Sequence, residues 1–447
     1  MIDHVGYGLV EGFYGPPWSH ATRTDVVRRL GELGLSTYFY APKSDPKHRD
    51  RWWEPLAPGE RADLERLFEA ARTAGVRVIY GIAPERLMLS GNLRVRTARD
   101  LDGPGPKALL DRLLDVARVG GRDFAVLFDD TFATLAPWLA GARKGKAHGL
   151  VTRFVRDELE VKIGGTRVFL VPAVYHRRAR EASAGALAYL EGIASMARDV
   201  PIAWTGPRIF SSWISSTDLN AWARATGLEP WVWNNLIAND WLPIASGESL
   251  GARGSQRLAF GPVDNVDAAV IGRSRGVLLN GAREPMLSVI SAATLAELVR
   301  DGHAYDPAAA FDRALARVAG EGARDVVREL HAWVARHPLA APHRGSGGRL
   351  DDALRDAEHR AGLRSHAIEI ADALTTLERR LTTALGATPL ADELRPTALK
   401  LELVGRAVRA TLEGDAAAPD LARRARAIRW QTDADAALTR VRRRAAT

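Results

Sequence analysis

The stretch FAVLFDD, residues 124–130, joins an uninterrupted apolar run to two adjacent carboxylates. A continuous apolar run of this kind is typical of a strand that is covered on both faces, as in a parallel sheet. In barrels built from parallel strands, the reactive groups lie where strands end and loops begin. The stretch therefore predicts a buried parallel strand that leads directly into a functional site.

Short β-forming segments recur on both sides of this stretch, with amphipathic helical segments between them. The predicted strands cover residues 5–10, 36–40, 76–80, 124–128, 167–171, 202–204, 231–233 and 276–279. Repeated strand-then-helix units over roughly 250–300 residues are typical of an α/β fold of the (β/α)8 barrel type. The alternative is an open doubly wound sheet, but no glycine-rich dinucleotide fingerprint follows the first strand. We expect the first helix to be capped by Thr24 and closed by Gly34.

The character of the sequence changes near residue 290, where strand-forming segments cease and Ala, Leu, Arg and Glu dominate. Helical periodicity covers residues 309–336, 351–388 and 393–414. We therefore expect a (β/α)8 barrel over residues 1–290, followed by a C-terminal all-α helical bundle over residues 291–447. Long amphipathic helices would permit a homodimer through the second domain, and the sequence leaves this open.

Composition excludes several classes of protein. The 447 residues include no cysteine, which excludes disulfides, thiolate metal sites and a cysteine nucleophile. No apolar stretch reaches the roughly 20 residues of a transmembrane helix, so we expect a cytoplasmic protein without a membrane partner. The histidines show no metal-ligand spacing, and we expect no metal and no cofactor. The net charge of +8 would allow non-specific contact with nucleic acid, yet no stretch mixes basic and aromatic residues in an RNA-binding pattern, so we expect no specific nucleic-acid partner.

Asp129 and Asp130 are the strongest candidates for chemistry. Adjacent carboxylates at the end of a buried strand repel each other in a low dielectric, so the arrangement is costly. A structural alternative is a helix cap, or a partner for Arg143. The functional alternative is an acid/base pair in which one group is kept neutral by burial and by the other charge. Because neighbouring residues in extended chain point in different directions, the two groups would address different atoms of a substrate.

Other polar and aromatic residues also follow predicted strands. The segment WNNLIANDW, residues 233–241, places aromatic rings beside amides and a carboxylate, which suits the apolar faces and hydroxyls of a sugar. Gly12 would let the backbone approach a ligand, Lys43 follows the second strand, and Tyr175 follows the fifth. The structural alternatives are a polar turn between core tryptophans, a turn glycine, a solvated lysine and a core tyrosine.

Together these segments resemble glycoside hydrolase family 84, the O-GlcNAcases and related β-N-acetylglucosaminidases. The segments that carry the resemblance are EGFYG (11–15), PW (17–18), YAPK (40–43), KHR (47–49), FDD (128–130), WTGP (204–207), WNN (233–235), ND (239–240) and LN (279–280). They occur in order from about residue 5 to 300 and cover the whole predicted barrel. Asn234 replaces an acidic residue found in many members, and residues 281–285 differ from the versions with an Asn-Pro pair.

The resemblance implies a retaining enzyme with a (β/α)8 barrel, in which the 2-acetamido oxygen of the substrate is the nucleophile. Asp129 would accept the acetamido N–H and stabilise the oxazolinium ion that forms. Asp130 would start protonated, give its proton to the glycosidic oxygen, and then act as the base for water.

The resemblance also implies a set of sugar-binding residues. These are Gly12, Lys43, Tyr175, Thr205, Trp233, Asn235, Asp240 and Asn280. Within this set, Tyr175 would hold the acetamido oxygen and Trp233 would wall the pocket for the acetyl methyl. Asp240 would bind O4 and O6 of the sugar.

The expected function is an exo-acting β-N-acetylglucosaminidase that hydrolyses terminal β-linked GlcNAc from a glycoprotein or another glycoconjugate. One alternative is a hexosaminidase that prefers glycosaminoglycans such as hyaluronan fragments. Another is a lectin-like barrel that binds GlcNAc without turnover. The residues of the predicted pocket do not distinguish a protein aglycone from a glycan.

Overall fold

Ten strands form in the described part of the chain. We analysed a computed structural model that describes residues 4–84, 95, 97–129, 141–240, 256–334, 364–428, 430–431, 437–438 and 441. The strands are β1 Gly6–Glu11, β2 Thr37–Tyr40, β3 Arg77–Ile82, β4 Asp123–Leu127, β5 Arg167–Val171, β6 Ile202–Trp204, β7 Pro230–Asn234, β8 Gln256–Arg257, β9 Gly276–Asn280 and β10 Trp430–Gln431.

Eight of these strands close into a barrel in the order β1-β2-β3-β4-β5-β6-β7-β9, and every pair is parallel. The predicted (β/α)8 barrel is therefore confirmed. The two short strands β8 and β10, which the sequence did not predict, pair with each other in parallel instead of joining the barrel. The fourth strand ends at Leu127 and not at Phe128, although the Phe128 N–H still donates to the Val171 carbonyl at 2.8 Å.

Helices follow the barrel strands and continue as far as Ala427. They are α1 His20–Glu32, α2 Pro58–Thr73, α3 Pro104–Arg118, α4 Ala142–Lys162, α5 Arg177–Glu181, α6 Ala184–Ala197, α7 Ser216–Thr226, α8 Ala268–Ile271, α9 Pro285–Asp301, α10 Pro307–Ala319, α11 Glu321–His331, α12 Arg364–Thr375, α13 Leu377–Leu385, α14 Pro389–Glu413 and α15 Ala418–Ala427. No helix in these described ranges is both long and apolar enough to cross a bilayer.

Three predictions about helices differ from the structure: the cap of the first helix, the stretch 309–336 and the stretch 351–388. Of the last, the described part forms α12 and α13, and residues 351–363 lie outside the described residues. The first helix is capped by Ser19, whose hydroxyl accepts from the Thr22 N–H at 3.1 Å, whereas Thr24 lies inside the helix and donates to the His20 carbonyl. A serine earlier in the chain therefore satisfies the end of the helix before Thr24 is reached. The predicted helix over 309–336 is two helices, because Gly320 adopts a φ of +86°, which a helix cannot contain.

The chain forms two compact units, each built from several segments. The first contains Met1–Leu236, Val263–Arg283 and Leu295–Tyr305, and the second contains Ile237–Pro262, Glu284–Thr294 and Asp306–Thr447. The first unit holds the barrel, and the second holds helices α10 to α15. Because each unit is composed of segments from different parts of the chain, one boundary at residue 290 does not describe the division into units. The predicted domain boundary at residue 290 stays a prediction.

The interior of the barrel is filled by large apolar side chains from successive strands. They include Val10, Phe39, Ile79, Leu127, Phe169, Trp231, Trp233 and Leu278. Trp231 and Trp233 pack 6.0 Å apart between ring centres, and both contact Phe39. This packed interior fixes the strand ends from which the site residues project.

In the second unit, one carboxylate caps a helix from outside. Glu393 in α14 accepts the backbone N–H of Met286 at 2.8 Å and that of Leu287 at 3.0 Å. These N–H groups lie in the first turn of α9, where a helix leaves its donors unsatisfied. Burial raises the pKa of Glu393 from its ordinary 4.5 to about 8, with a further contribution from the charge of Glu284.

We predict that Glu393 makes stability fall as pH rises. A folded-state pKa above the unfolded value means that the folded state binds the proton more tightly, so the stabilising effect is complete below about pH 4.5 and is lost towards pH 8. The loss is at most about 1.4 kcal/mol per pH unit. Thermal unfolding midpoints between pH 6 and 9 should therefore fall more steeply in the wild type than in Glu393→Gln.

The difference between the pH profiles of the wild type and Glu393→Gln separates the contribution of Glu393 from that of the buried histidines. Burial lowers the pKa of His48 to about 3 and that of His176 to about 4, so both contribute a slope of opposite sign, and only below about pH 6.5. Glu65→Gln, which alters an exposed carboxylate on α2, is the matched control and should leave the profile unchanged. Parallel profiles for Glu393→Gln and the wild type would contradict the prediction.

Candidate active site

A buried ion pair lies at the carboxyl ends of the barrel strands. Asp129 follows β4 and is 8% exposed, and Lys43 follows β2 and is 7% exposed. The Lys43 ammonium donates to Asp129 Oδ2. Each charge would be expensive to bury alone, so the pairing explains why both remain at the end of a packed barrel.

A second cluster is built from two amides and an indole. Asn235 Oδ1 accepts from Trp233 Nε1 and from Asn280 Nδ2, both at 2.9 Å. Asn235 Nδ2 in turn donates to the Ile209 carbonyl at 2.8 Å. Asn280 Oδ1 is also buried, and it accepts no hydrogen bond from the described residues. The cluster therefore holds one buried acceptor that is available to a polar ligand.

Gly12 follows β1 and faces this cluster directly. A Cβ atom at Gly12 would lie 2.5 Å from the Trp233 ring and 2.8 Å from Asn280 Oδ1. The position accepts no side chain, so the backbone can approach the indole and the amide closely. The contacts at Gly12 are thus with other residues of the protein, and the approach of its backbone to a ligand stays a prediction.

The ion pair and the amide cluster belong to one site. Lys43 Nζ lies 5.9 Å from the centre of the Trp233 ring, and the Lys43 N–H donates to the Phe13 carbonyl in the loop that carries Gly12. The ends of five strands, β1, β2, β4, β7 and β9, therefore bring a carboxylate, an ammonium, an indole, two amides and a bare backbone together. All of these residues lie in the first compact unit.

Tyr175 and Thr205 lie on neighbouring loops after β5 and β6. The Tyr175 carbonyl accepts from the Thr205 N–H at 2.9 Å, and the Tyr175 side chain is buried. The Thr205 hydroxyl donates to the Arg208 carbonyl at 2.8 Å. The single hydroxyl proton of Thr205 is therefore used in a hydrogen bond within the loop after β6.

Two predicted residues remain, of which the structure describes one. Asp130 lies outside the described residues. Asp240 is half-buried and belongs to the second compact unit, where the neighbouring Asn239 donates to Glu284 Oε2 at 2.5 Å.

Two supporting clusters were missed in the sequence. Asn234 and Asn265 exchange hydrogen bonds between their side-chain amides at 2.8 and 3.0 Å, and Asn265 also donates to the Ser211 carbonyl. This pair fixes the chain immediately before Asn235. In the sequence, Asn234 stands out only because it replaces an acidic residue found in many members of the resembled family. No local pattern links Asn234 to Asn265.

The second missed cluster surrounds Glu11, which is fully buried at the end of β1. Its carboxylate accepts from Arg23 Nε at 2.8 Å, from Arg23 Nη2 at 2.9 Å and from the Trp18 N–H at 3.0 Å. The Tyr38 hydroxyl also donates to it. The bidentate pair with Arg23 fixes the Glu11 carboxylate, and the hydrogen bond from Trp18 then ties the far end of the Gly12 loop to it.

Acidic and histidine side chains do not form a metal site in the part of the chain that the structure describes. No group of three or more His, Asp or Glu residues there has the arrangement needed to hold an ion.

The carboxyl ends of the parallel strands, which carry this constellation, are the edge where enzymes with a (β/α)8 barrel place their reactive groups. The comparisons with known proteins show that the class is that of the glycoside hydrolases. The chain belongs to the β-N-acetylglucosaminidase (NAGidase) family, whose model matches residues 7–332. It is similar to the protein O-GlcNAcases of Rattus norvegicus and Mus musculus, with 31% and 30% identity over 294 residues. That alignment covers 65% of this chain and 29% of each relative, so the chain spans less than a third of their length.

Solved structures agree with the fold. A structure named CpGH84B superposes with a TM-score of 0.76 at 22% identity, covering 97% of this chain and 76% of that chain. A mutant of the Thermobaculum terrenum O-GlcNAc hydrolase superposes with a TM-score of 0.77 at 19% identity, covering 97% of this chain and 93% of that chain. At these identities the likeness supports the fold alone.

We predict that Gly12→Ala destabilises the protein. The new methyl would lie within 3.0 Å of the Trp233 ring and of Asn280 Oδ1, neither of which can move without disturbing a buried hydrogen bond. Overpacking of this kind costs about 1–3 kcal/mol. The free energy of unfolding, measured with denaturant, should fall by that amount.

Gly59→Ala provides the control. Gly59 lies in the first turn of α2, and a Cβ there meets open space. Alanine has the higher helix propensity, so this variant should be no less stable than the wild type. Equal losses in the two variants would show that the contact at Gly12 does not limit stability.

Proposed function

We propose that the chain is a retaining exo-β-N-acetylglucosaminidase that hydrolyses terminal β-linked GlcNAc by substrate-assisted catalysis through an oxazoline intermediate. The observation that carries the proposal is the buried Asp129 carboxylate, paired with Lys43, beside the Trp233–Asn235–Asn280 cluster. Membership of the β-N-acetylglucosaminidase family supports the same assignment.

Asp129 would act on the acetamido group of the substrate. An ionised carboxylate accepts hydrogen bonds, and the Lys43 ammonium stabilises a negative charge on Asp129. By accepting the acetamido N–H, Asp129 would orient the acetamido oxygen towards the anomeric carbon and stabilise the positive charge that develops on the ring. Holding this internal nucleophile in place replaces a bimolecular step by a unimolecular one.

Asp130, the next residue in the chain, would handle the protons. In the first step it would protonate the glycosidic oxygen while the acetamido oxygen bonds to the anomeric carbon and the glycosidic C–O bond breaks. In the second step it would remove a proton from water, which attacks the anomeric carbon and reopens the oxazoline ring. The aglycone leaves as an alcohol, and GlcNAc leaves with retained configuration.

The remaining site residues would bind the sugar. Asn280 Oδ1, Asn235 Nδ2 and the Gly12 backbone would meet hydroxyls, and the Trp233 indole would cover the acetyl methyl. Tyr175 would hold the acetamido oxygen in its attacking position. We propose GlcNAc on protein hydroxyls as the substrate, because the rat and mouse relatives are named protein O-GlcNAcases.

The first test compares two substrates that differ only in the acetamido group. We expect release of 4-nitrophenol from 4-nitrophenyl β-GlcNAc and a rate at least about 10³-fold lower from the β-glucoside, because only the former carries its own nucleophile. The cyclised thiazoline analogue of GlcNAc, which resembles the oxazoline, should inhibit strongly. Equal rates on both substrates would exclude the assisted mechanism, and thiazoline affinity without turnover would indicate a GlcNAc-binding lectin.

The second test separates the roles of the two carboxylates by the choice of leaving group. Asp130→Asn should lower kcat/KM by about 10²–10⁴-fold on a phenyl or alkyl β-GlcNAc, which needs protonation, and much less on an activated nitrophenyl substrate. Asp129→Asn should lower both to a similar extent, because every substrate needs its acetamido group oriented.

Asp111→Asn, on the exposed face of α3, is the matched control and should be silent on all substrates. If Asp129→Asn and Asp130→Asn respond to the leaving group in the same way, the division of roles is wrong even if the enzyme is active.

A further inference from the structure

Two helices outside the barrel strands approach each other unusually closely in the first unit. A Cβ atom at Gly145 in α4 would lie 1.9 Å from the Tyr189 carbonyl oxygen in α6, and one at Gly192 would lie 2.5 Å from the Ala142 carbonyl oxygen. Only glycine permits these backbone contacts. The close crossing brings the side chain of His148, one turn along α4, to the side chain of Tyr189.

His148 and Tyr189 form a hydrogen-bond chain that reaches the backbone of Ala173. Tyr189 Oη accepts from the Ala173 N–H at 3.0 Å and lies 2.7 Å from His148 Nδ1. The phenol oxygen thus joins the Ala173 backbone to the imidazole, and the tautomer of His148 decides which partner donates in the second hydrogen bond. Burial, with a smaller effect of Lys144, lowers the pKa of His148 well below 6.5, which is consistent with a neutral ring.

The same imidazole packs flat against the residue that precedes Asp129. The His148 and Phe128 rings are stacked with their centres 3.7 Å apart and their planes at 12°. At the other end of the chain, Ala173 lies two residues before Tyr175. A continuous series of contacts, Phe128–His148–Tyr189–Ala173, therefore connects the end of β4 with the segment after β5.

We propose that His148 and Tyr189 are positioning residues that fix the Asp129 carboxylate and the Tyr175 side chain relative to each other. The inference rests on the proposed function, in which these two side chains hold opposite ends of one acetamido group. Displacement of a reacting group by about 1 Å can lower a rate about 10²-fold, so restraints on both strand ends bear directly on turnover. Neither His148 nor Tyr189 contacts the substrate in this proposal.

Tyr189→Phe tests the proposal with the smallest change, because it removes one oxygen and keeps the ring. We expect kcat on 4-nitrophenyl β-GlcNAc to fall about 10- to 100-fold with little change in KM, since the oriented acetamido group matters most in the transition state. The inhibition constant of the thiazoline analogue should rise by a similar factor. A purely structural role would lower the amount of folded enzyme, which reduces the apparent kcat and leaves that inhibition constant unchanged.

Tyr7→Phe is the matched control. Its hydroxyl donates to the Ile271 carbonyl at 2.6 Å, near the amino end of β1 and away from the strand ends that carry the site. Like Tyr189→Phe, this variant loses one hydrogen bond between a phenol hydroxyl and the backbone. Its kcat and its thiazoline inhibition constant should nevertheless stay at wild-type values.

Two substitutions at His148 separate the ring contact from the hydrogen bond. His148→Phe keeps a flat ring on Phe128 and loses the nitrogen that hydrogen-bonds Tyr189, whereas His148→Asn keeps a hydrogen-bonding group near the position of Nδ1 and loses the ring. We expect both to lower kcat. In a cycle with Tyr189→Phe, the double variant with His148→Phe should be no worse than the poorer single variant, because both belong to one chain of contacts.

The outcomes distinguish a failure of the proposed function from a failure of the positioning role alone. Absence of both turnover and thiazoline binding in the wild type would refute the proposed function, and the positioning role with it. An active wild type, with kcat and thiazoline inhibition unchanged in Tyr189→Phe, would refute the positioning role alone. If Tyr189→Phe does not fold, His148→Asn decides on the same two measurements.

Discussion

The buried pair of Lys43 and Asp129 is the constraint on which the site depends. The two charges come from strands that are separated by β3 in the closed barrel, so they meet only when β2, β3 and β4 are paired in register. Removal of either partner would leave an uncompensated charge inside the protein, typically a loss of about 3–5 kcal/mol. The interaction that the proposed chemistry needs is thus also one that requires a correctly closed barrel.

The loop after β1 is fixed by a second buried charge that performs no chemistry in the proposal. Glu11 accepts both the guanidinium of Arg23 in α1 and the backbone N–H of Trp18, which binds the two ends of the loop to the barrel. Gly12 lies between these anchors. Because it has no side chain, its backbone can lie close to the Trp233 indole and the Asn280 amide. A rigid loop is necessary here, because a bare backbone selects a ligand only if its position is fixed.

Local patterns predicted the barrel and indicated candidate site residues at its strand ends, since apolar runs and the polar residues after them lie next to each other in the sequence. The supporting contacts could not be predicted, because their partners are distant: Asn234 and Asn265 are 31 residues apart, and His148 and Tyr189 are 41 apart. The start of α1 was misplaced because two hydroxyl residues compete for the cap, and only the backbone geometry shows that Ser19 is used. Sequence patterns identify which residues face a site more readily than they identify what holds those residues in place.

The hydrogen bonds of the Asn235 and Asn280 side-chain amides also decide which donor or acceptor each amide can still offer to a ligand. Asn235 Oδ1 already accepts from both Trp233 and Asn280, and its Nδ2 gives one proton to Ile209, so it retains chiefly an N–H for a ligand. Asn280 gives one N–H to Asn235 and keeps a buried oxygen that accepts nothing from the described residues. Under the proposed function, Asn235 therefore donates to a sugar oxygen while Asn280 accepts from a sugar hydroxyl. A site that offers one donor and one acceptor side by side matches the hydroxyl group, which can use both, and a methyl ether of the same sugar would leave the Asn280 acceptor buried and unsatisfied.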